Sequence, residues 1–217
     1  MTGPNLRALL LDGPVGPLEA LYARAPSPQG WAALVCHPHP VFGGTMHNRV
    51  VYRTAKAFLA GGAHVLRFNF RGVGASRGSY DGGIGEQADA AAALDFLRSH
   101  HPGEALVVAG FSFGAWVGFH AALRCPQVRG LLGIGLPVMR FDFSFLYNVA
   151  LPKWIIQGET DKFGPATTVE ALLVRCREPK GVRFIPGANH FFDAHQTELA
   201  EALASAVGWL QQHVLLT

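Results

Sequence analysis

Charge and cysteine are both scarce in this sequence. Only 15% of its 217 residues are charged, whereas 49% are hydrophobic, and that balance excludes a disordered, self-repelling chain. So lean a charged surface leaves room for a homodimer contact. Eighteen Lys and Arg against fifteen Asp and Glu give a net charge of +3. These charges are scattered, with no basic run to track a phosphate backbone, so nucleic acid is not an expected partner. The three cysteines, Cys36, Cys125 and Cys176, are too few and too widely spaced for a disulfide framework or a zinc knuckle, and an odd count suits a reducing compartment. They are expected to serve as small buried hydrophobes. No apolar stretch approaches the roughly 18 residues of a membrane span, and Met1 to Gly13 lacks the basic start and apolar core of a secretion signal. The expectation is a cytoplasmic protein with no membrane partner. Repeats, linkers and low-complexity tracts are absent as well, and the length suits one domain over residues 1–217.

Short apolar runs rich in β-formers alternate with longer helical patterns, as in a mostly parallel sheet covered by helices on both faces. The opening breaks that rhythm. Arg7 to Leu11, Leu18 to Ala23 and Ala32 to Cys36 are strand candidates joined by turns too short for crossover helices, which predicts an antiparallel start. A helix is then expected over Val50 to Ala60, a strand over Ala63 to Phe70, and a helix with Ile84, Ala88, Ala91, Leu94 and Leu97 on one face. The strand Ala105 to Phe111 and a helix from Gly114 to Leu123 follow, then the strand Val128 to Leu136 and an aperiodic segment, Pro137 to Ala150. The chain closes with the strand Lys153 to Gln157, a helix over Thr168 to Arg177, the strand Gly181 to Ile185, and a helix with Leu199, Ala202, Ala206 and Trp209 on one face.

Gly110-Phe111-Ser112-Phe113-Gly114 lies where an apolar strand gives way to a helical pattern. That is the setting of a nucleophile elbow, a sharp turn that projects a serine Oγ from the sheet edge and aims helix N–H groups at a developing oxyanion. A serine hydroxyl needs a base within hydrogen-bond reach and a third group to orient that base. His190 and Asp161 each follow a later strand, and in a parallel sheet those strand ends share the edge that carries Ser112. Ser112 is therefore the candidate nucleophile, His190 the base and acid, and Asp161 the orienting carboxylate. Their rivals are Glu159, Asp142 and Asp193 for the acid and His195, at the start of the last helix, for the base.

With these stretches in hand the chain resembles the α/β-hydrolases, and within them the small bacterial hydrolases with a His-Pro-His-Pro motif, related in outline to dienelactone hydrolases. The likeness is carried by His37-Pro38-His39-Pro40 with Gly43, Gly44 and Asn48, by Phe68-Asn69-Phe70-Arg71-Gly72-Val73-Gly74, by the elbow, and by the Asp161 and His190 segments. It implies an α/β fold with an eight-stranded, mostly parallel sheet whose second strand is antiparallel, and helices on both faces. Dienelactone hydrolases carry a cysteine at the position of Ser112, so their particular reaction does not transfer. The resemblance also implies two oxyanion donors, one N–H from Phe113 and one from the loop after the third strand. There Pro38 and Pro40 have no N–H, which leaves His39, Val41 or Phe42, with His39 favoured by alignment to the more usual His-Gly.

A metal site of His37, His39 and His47 is disfavoured by the intervening prolines and by the lack of a nearby carboxylate or cysteine. Arg71 to Gly74 lacks the spacing and Lys-Ser/Thr of a phosphate loop and suits a tight turn. No cofactor is called for. Phe141, Phe143, Phe145 and Tyr147 are equally suited to an apolar wall over the site or to the core, and their segment is too short for a large lid. The expected activity is hydrolysis of small, soluble short-chain acyl esters through an acyl-serine. Thioesterase, amidase or acyltransferase activity, or a non-catalytic binding module, are the alternatives.

Overall fold

A computed structural model describes residues 5–215. Eight strands form one sheet in the order β1-β2-β4-β3-β5-β6-β7-β8. They are β1 (Asn5–Gly13), β2 (Gly16–Arg24), β3 (Trp31–Cys36), β4 (His64–Phe68), β5 (Ala105–Phe111), β6 (Val128–Ile134), β7 (Lys153–Gly158) and β8 (Lys180–Ile185). The helices are α1 (Arg49–Ala60), α2 (Ile84–His100), α3 (Phe113–Ala122), α4 (Ala166–Arg175) and α5 (Gln196–Leu215). Pairing is antiparallel between β1 and β2 and between β2 and β4, and parallel from β4 onward. The turn-linked start is thus antiparallel in direction, but β2 and β3 are not neighbours, because β4 inserts between them.

Strands buried on both faces read as continuous apolar runs. Trp31 to Cys36 is buried throughout, and along β5 Leu106 and Val108 point to one core while Val107, Ala109 and Phe111 point to the other. The first core is closed by α2, α3 and α4 through residues such as Leu94, Val117 and Leu172, the second by α1 and α5 through Phe58, Leu203 and Leu210. Because α1 leaves β3 on one face and α3 leaves β5 on the other, the C-terminal ends of β3 and β5 border a crevice at the point where strand order reverses. Among the described residues no helix is long and apolar enough to cross a membrane. Cys36 and Cys176 are buried, as expected of small hydrophobes, while Cys125 is only half-buried.

The aperiodic segment after β6 contains one short helical turn, Ser144–Asn148, and no large lid. Its aromatic residues divide between the two expected roles. Phe143 is buried in the core, Phe145 packs on His120 at 4.1 Å, and the Tyr147 ring receives the Arg175 guanidinium at 4.0 Å. Only Phe141 of the four reaches the crevice.

Candidate active site

The strand β5 ends at Phe111, and Ser112 turns the chain into α3 with φ 57° and ψ −122°, a conformation that side chains avoid. Two backbone bonds fix it: Ser112 N–H donates to Ile134 O (2.9 Å), and Ser112 O accepts from Ala115 N–H (2.9 Å). The flanking glycines are required by close approach. A Cβ on Gly110 would strike the backbone of Gly114 and Ala115, and one on Gly114 would strike the carbonyls of Cys36 and His37. Those contacts let α3 begin against the end of β3, with Phe113 as its first residue and its N–H among those that a helix start leaves unpaired.

Across the sheet edge, the His190 imidazole bridges two side chains that β5 and β7 deliver. Nδ1–H donates to Asp161 Oδ2 at 2.7 Å, which leaves Nε2 to accept from the Ser112 hydroxyl at 3.0 Å. All three side chains are buried. Asp161 has a full set of donors, for Oδ1 accepts from the N–H groups of Phe163 (2.8 Å) and Gly164 (3.2 Å) and Oδ2 also accepts from Gln157 Nε2 (2.8 Å). Buried Gln157 is itself held by Leu136 N–H and Gly164 O. This buried amide is a site residue that sequence reasoning missed, and its position four residues before Asp161 was the only signal for it. The rival acids are engaged elsewhere: Glu159 accepts from Gly187 N–H, Asp142 from Ser144, and Asp193 lies near Asn189 at 3.4 Å. His195 stands at the foot of α5, as its spacing predicted.

The loop after β3 is pinned by the first histidine of the motif. His37 is fully buried; Nε2 accepts from Phe70 N–H (3.0 Å) and Nδ1–H donates to Pro38 O (2.6 Å). Burial pushes its pKa down to about 4, so the ring is neutral and joins the ends of β3 and β4. Both its nitrogens are used and His47 is exposed, so His37, His39 and His47 do not form a metal site. Of the three oxyanion-donor candidates, Val41 N–H donates to His39 Nδ1 (3.3 Å) and Phe42 N–H to His39 O (3.2 Å). The His39 N–H has no partner among the described residues, and its ring rests on that of Phe113 at 4.7 Å. The Gly-rich turn after β4 is a staple: Arg71 spends its guanidinium on Asp89 (2.8 and 3.0 Å) and Gly85 O (2.7 Å), tying the turn to α2.

Ser112 and His190 open into a cavity of about 620 Å³. Its walls are mainly apolar, with Phe42, Phe113, Phe141, Phe163 and Phe191 among them. Phe111, Phe163 and Phe191 stand around the His190 ring at 5.2, 4.8 and 5.2 Å. Phe163 and Phe191 went unnoticed in the sequence, although each follows a proposed triad residue by one or two positions.

The profile of the alpha/beta hydrolase fold family matches residues 39–170. The chain belongs to the α/β-hydrolase family. It is similar to an uncharacterized protein of Rickettsia prowazekii, 40% identical over 204 residues that cover 90% of this chain and 86% of that one. Two solved structures superpose with a TM-score of 0.87. An α/β serine hydrolase homologue from Coxiella burnetii is 37% identical, over 94% of this chain and 98% of that one. An α/β serine hydrolase without a lid from Xanthomonas campestris is 38% identical, over 96% of each chain. An α/β-hydrolase fold with such neighbours supports a hydrolase.

Proposed function

We propose that the protein is a serine hydrolase, a carboxylesterase that cleaves small, soluble short-chain acyl esters. The observation that carries this reading is the continuous relay from Asp161 through His190 to Ser112, 2.7 and 3.0 Å long, opening on an apolar cavity. Ser112 Oγ attacks the acyl carbon while its proton passes to His190 Nε2. The tetrahedral oxyanion takes hydrogen bonds from the backbone N–H groups of Phe113 and His39, an arrangement typically worth about a hundredfold to a thousandfold per donor. Collapse expels the alcohol, which leaves with the proton from His190, and the acyl group stays on Ser112. Water then attacks the acyl-serine with the same assistance and releases the acid. Asp161 holds the imidazole tautomer throughout and stabilises the imidazolium.

The test is labelling with a fluorophosphonate probe, followed by turnover of p-nitrophenyl esters of increasing chain length. Wild type is expected to label and Ser112→Ala and His190→Ala to fail, with acetate or butyrate turned over faster than long-chain esters. Normal turnover by Ser112→Ala would refute the assignment, and a preference for long chains would refute the substrate class.

A further inference from the structure

The cavity contains one wall residue that the proposed hydrolysis does not use and that carries a full charge near neutral pH. Arg140 reaches it from the turn after β6. Its backbone is fixed: Arg140 N–H donates to Pro137 O (2.9 Å), and the preceding N–H, of Met139, donates to Phe163 O (2.9 Å). Its guanidinium lies 5.9 Å from the centre of the Phe163 ring. Among the described residues Arg140 is in no ion pair, since the nearest acid in sequence, Asp142, spends both carboxylate oxygens on Ser144 (2.8 and 2.7 Å). Arg140 is exposed, and an unpaired guanidinium at the rim of an apolar cavity is a ready partner for a carboxylate, which it can meet with two parallel N–H groups.

The side of the cavity on which it lies sets which part of a substrate it would meet. Phe163 packs on the His190 ring at 4.8 Å, so Arg140, Phe163 and His190 form one flank. The rings of His39 and Phe113, whose backbone N–H groups are the proposed oxyanion donors, pack on each other at 4.7 Å and form another. His190 must protonate the departing oxygen, so the group attached to that oxygen extends along its own flank. Resting on the serine-esterase reading above, we infer that Arg140 binds a carboxylate on the leaving group. The preferred substrates are short acyl esters of a hydroxy acid whose flat or apolar body spans Phe163.

Two acetate esters of nearly the same size, one anionic and one neutral, provide the test: p-acetoxybenzoate and p-acetoxybenzamide, with phenyl hydrogen succinate carrying the carboxylate on the acyl side instead. The ratio of kcat/KM for the anionic ester to that for the neutral one is expected to fall about fivefold in Arg140→Gln, the scale of a partly exposed ion pair. Arg140→Lys should keep part of the preference, and added salt should weaken it in wild type. Leaving-group reactivity cancels, because the same two esters are compared in each protein. An unchanged ratio in Arg140→Gln, or a loss seen only with phenyl hydrogen succinate, would overturn the inference. So would failure to cleave either acetate by a wild type that labels with fluorophosphonate; failure to label at all would instead overturn the underlying reading.

Discussion

Ser112 pays for its position with backbone strain. At φ 57° and ψ −122° a residue with a Cβ is strained by roughly 1 to 3 kcal/mol, whereas glycine is not. Ser112→Ala keeps the Cβ and therefore the strain; Ser112→Gly removes it at the expense of a more flexible unfolded chain. The glycine variant is expected to be more stable than the alanine variant by about 1 kcal/mol, a melting point about 2 to 4 °C higher by calorimetry. Equal melting points would mean that the strain at the elbow is no larger than the cost of glycine's extra freedom in the unfolded chain. The carboxylate of Asp161 is held instead by its four hydrogen bonds and its burial, which place it within reach of His190 Nδ1.

Between elements, the site depends on how closely α3 can start against β3. Gly114 lies against the carbonyls of Cys36 and His37, and a methyl group there has nowhere to go but into backbone. Gly114→Ala is expected to lose about 1 to 3 kcal/mol of stability in urea denaturation, the scale of overpacking. It should also lower fluorophosphonate labelling, because pushing α3 from β3 separates the Phe113 N–H from the His39 loop. A variant that keeps both full stability and full labelling would show that the two elements can part without harm. The Arg71–Asp89 pair acts at the same scale, binding the turn after β4 to α2.

For the whole molecule, buried neutral histidines make stability depend on pH. The pKa of His37 is pushed down by burial to about 4, below its ordinary value near 6.5. Between those values the unfolded chain binds the extra proton and the folded chain does not, so stability is fully present above about pH 6.5 and falls as pH drops toward 4. His37 alone accounts for about 3 kcal/mol over that window. His64, His101 and His120 are also lowered by burial and add to the loss with the same sign. Urea denaturation at about pH 7 and about pH 4.5 should reveal this slope, and His37→Gln, which keeps an acceptor for Phe70 N–H, should flatten it. A stability that does not change across the window would contradict the neutral, buried imidazole.

The sequence by itself determined the element order, because strands covered on both faces must be apolar throughout and helices must repeat their apolar residues every three or four positions. It also singled out Ser112, Asp161 and His190, since each sits just past a strand on the edge where parallel strands end, and a strand-to-helix turn flanked by Gly110 and Gly114 has few other uses. Tertiary structure alone decided what depends on distances between segments far apart in the chain. β4 had to lie between β2 and β3 before the crevice existed, and Gln157 had to meet Asp161 across a turn. That Phe141, and not Phe143, Phe145 or Tyr147, lines the cavity could not be read from the sequence, because an aperiodic loop has no repeat that marks a face. Arg140 met Phe163, whose ring packs on His190, through contacts between loops that no local pattern encodes.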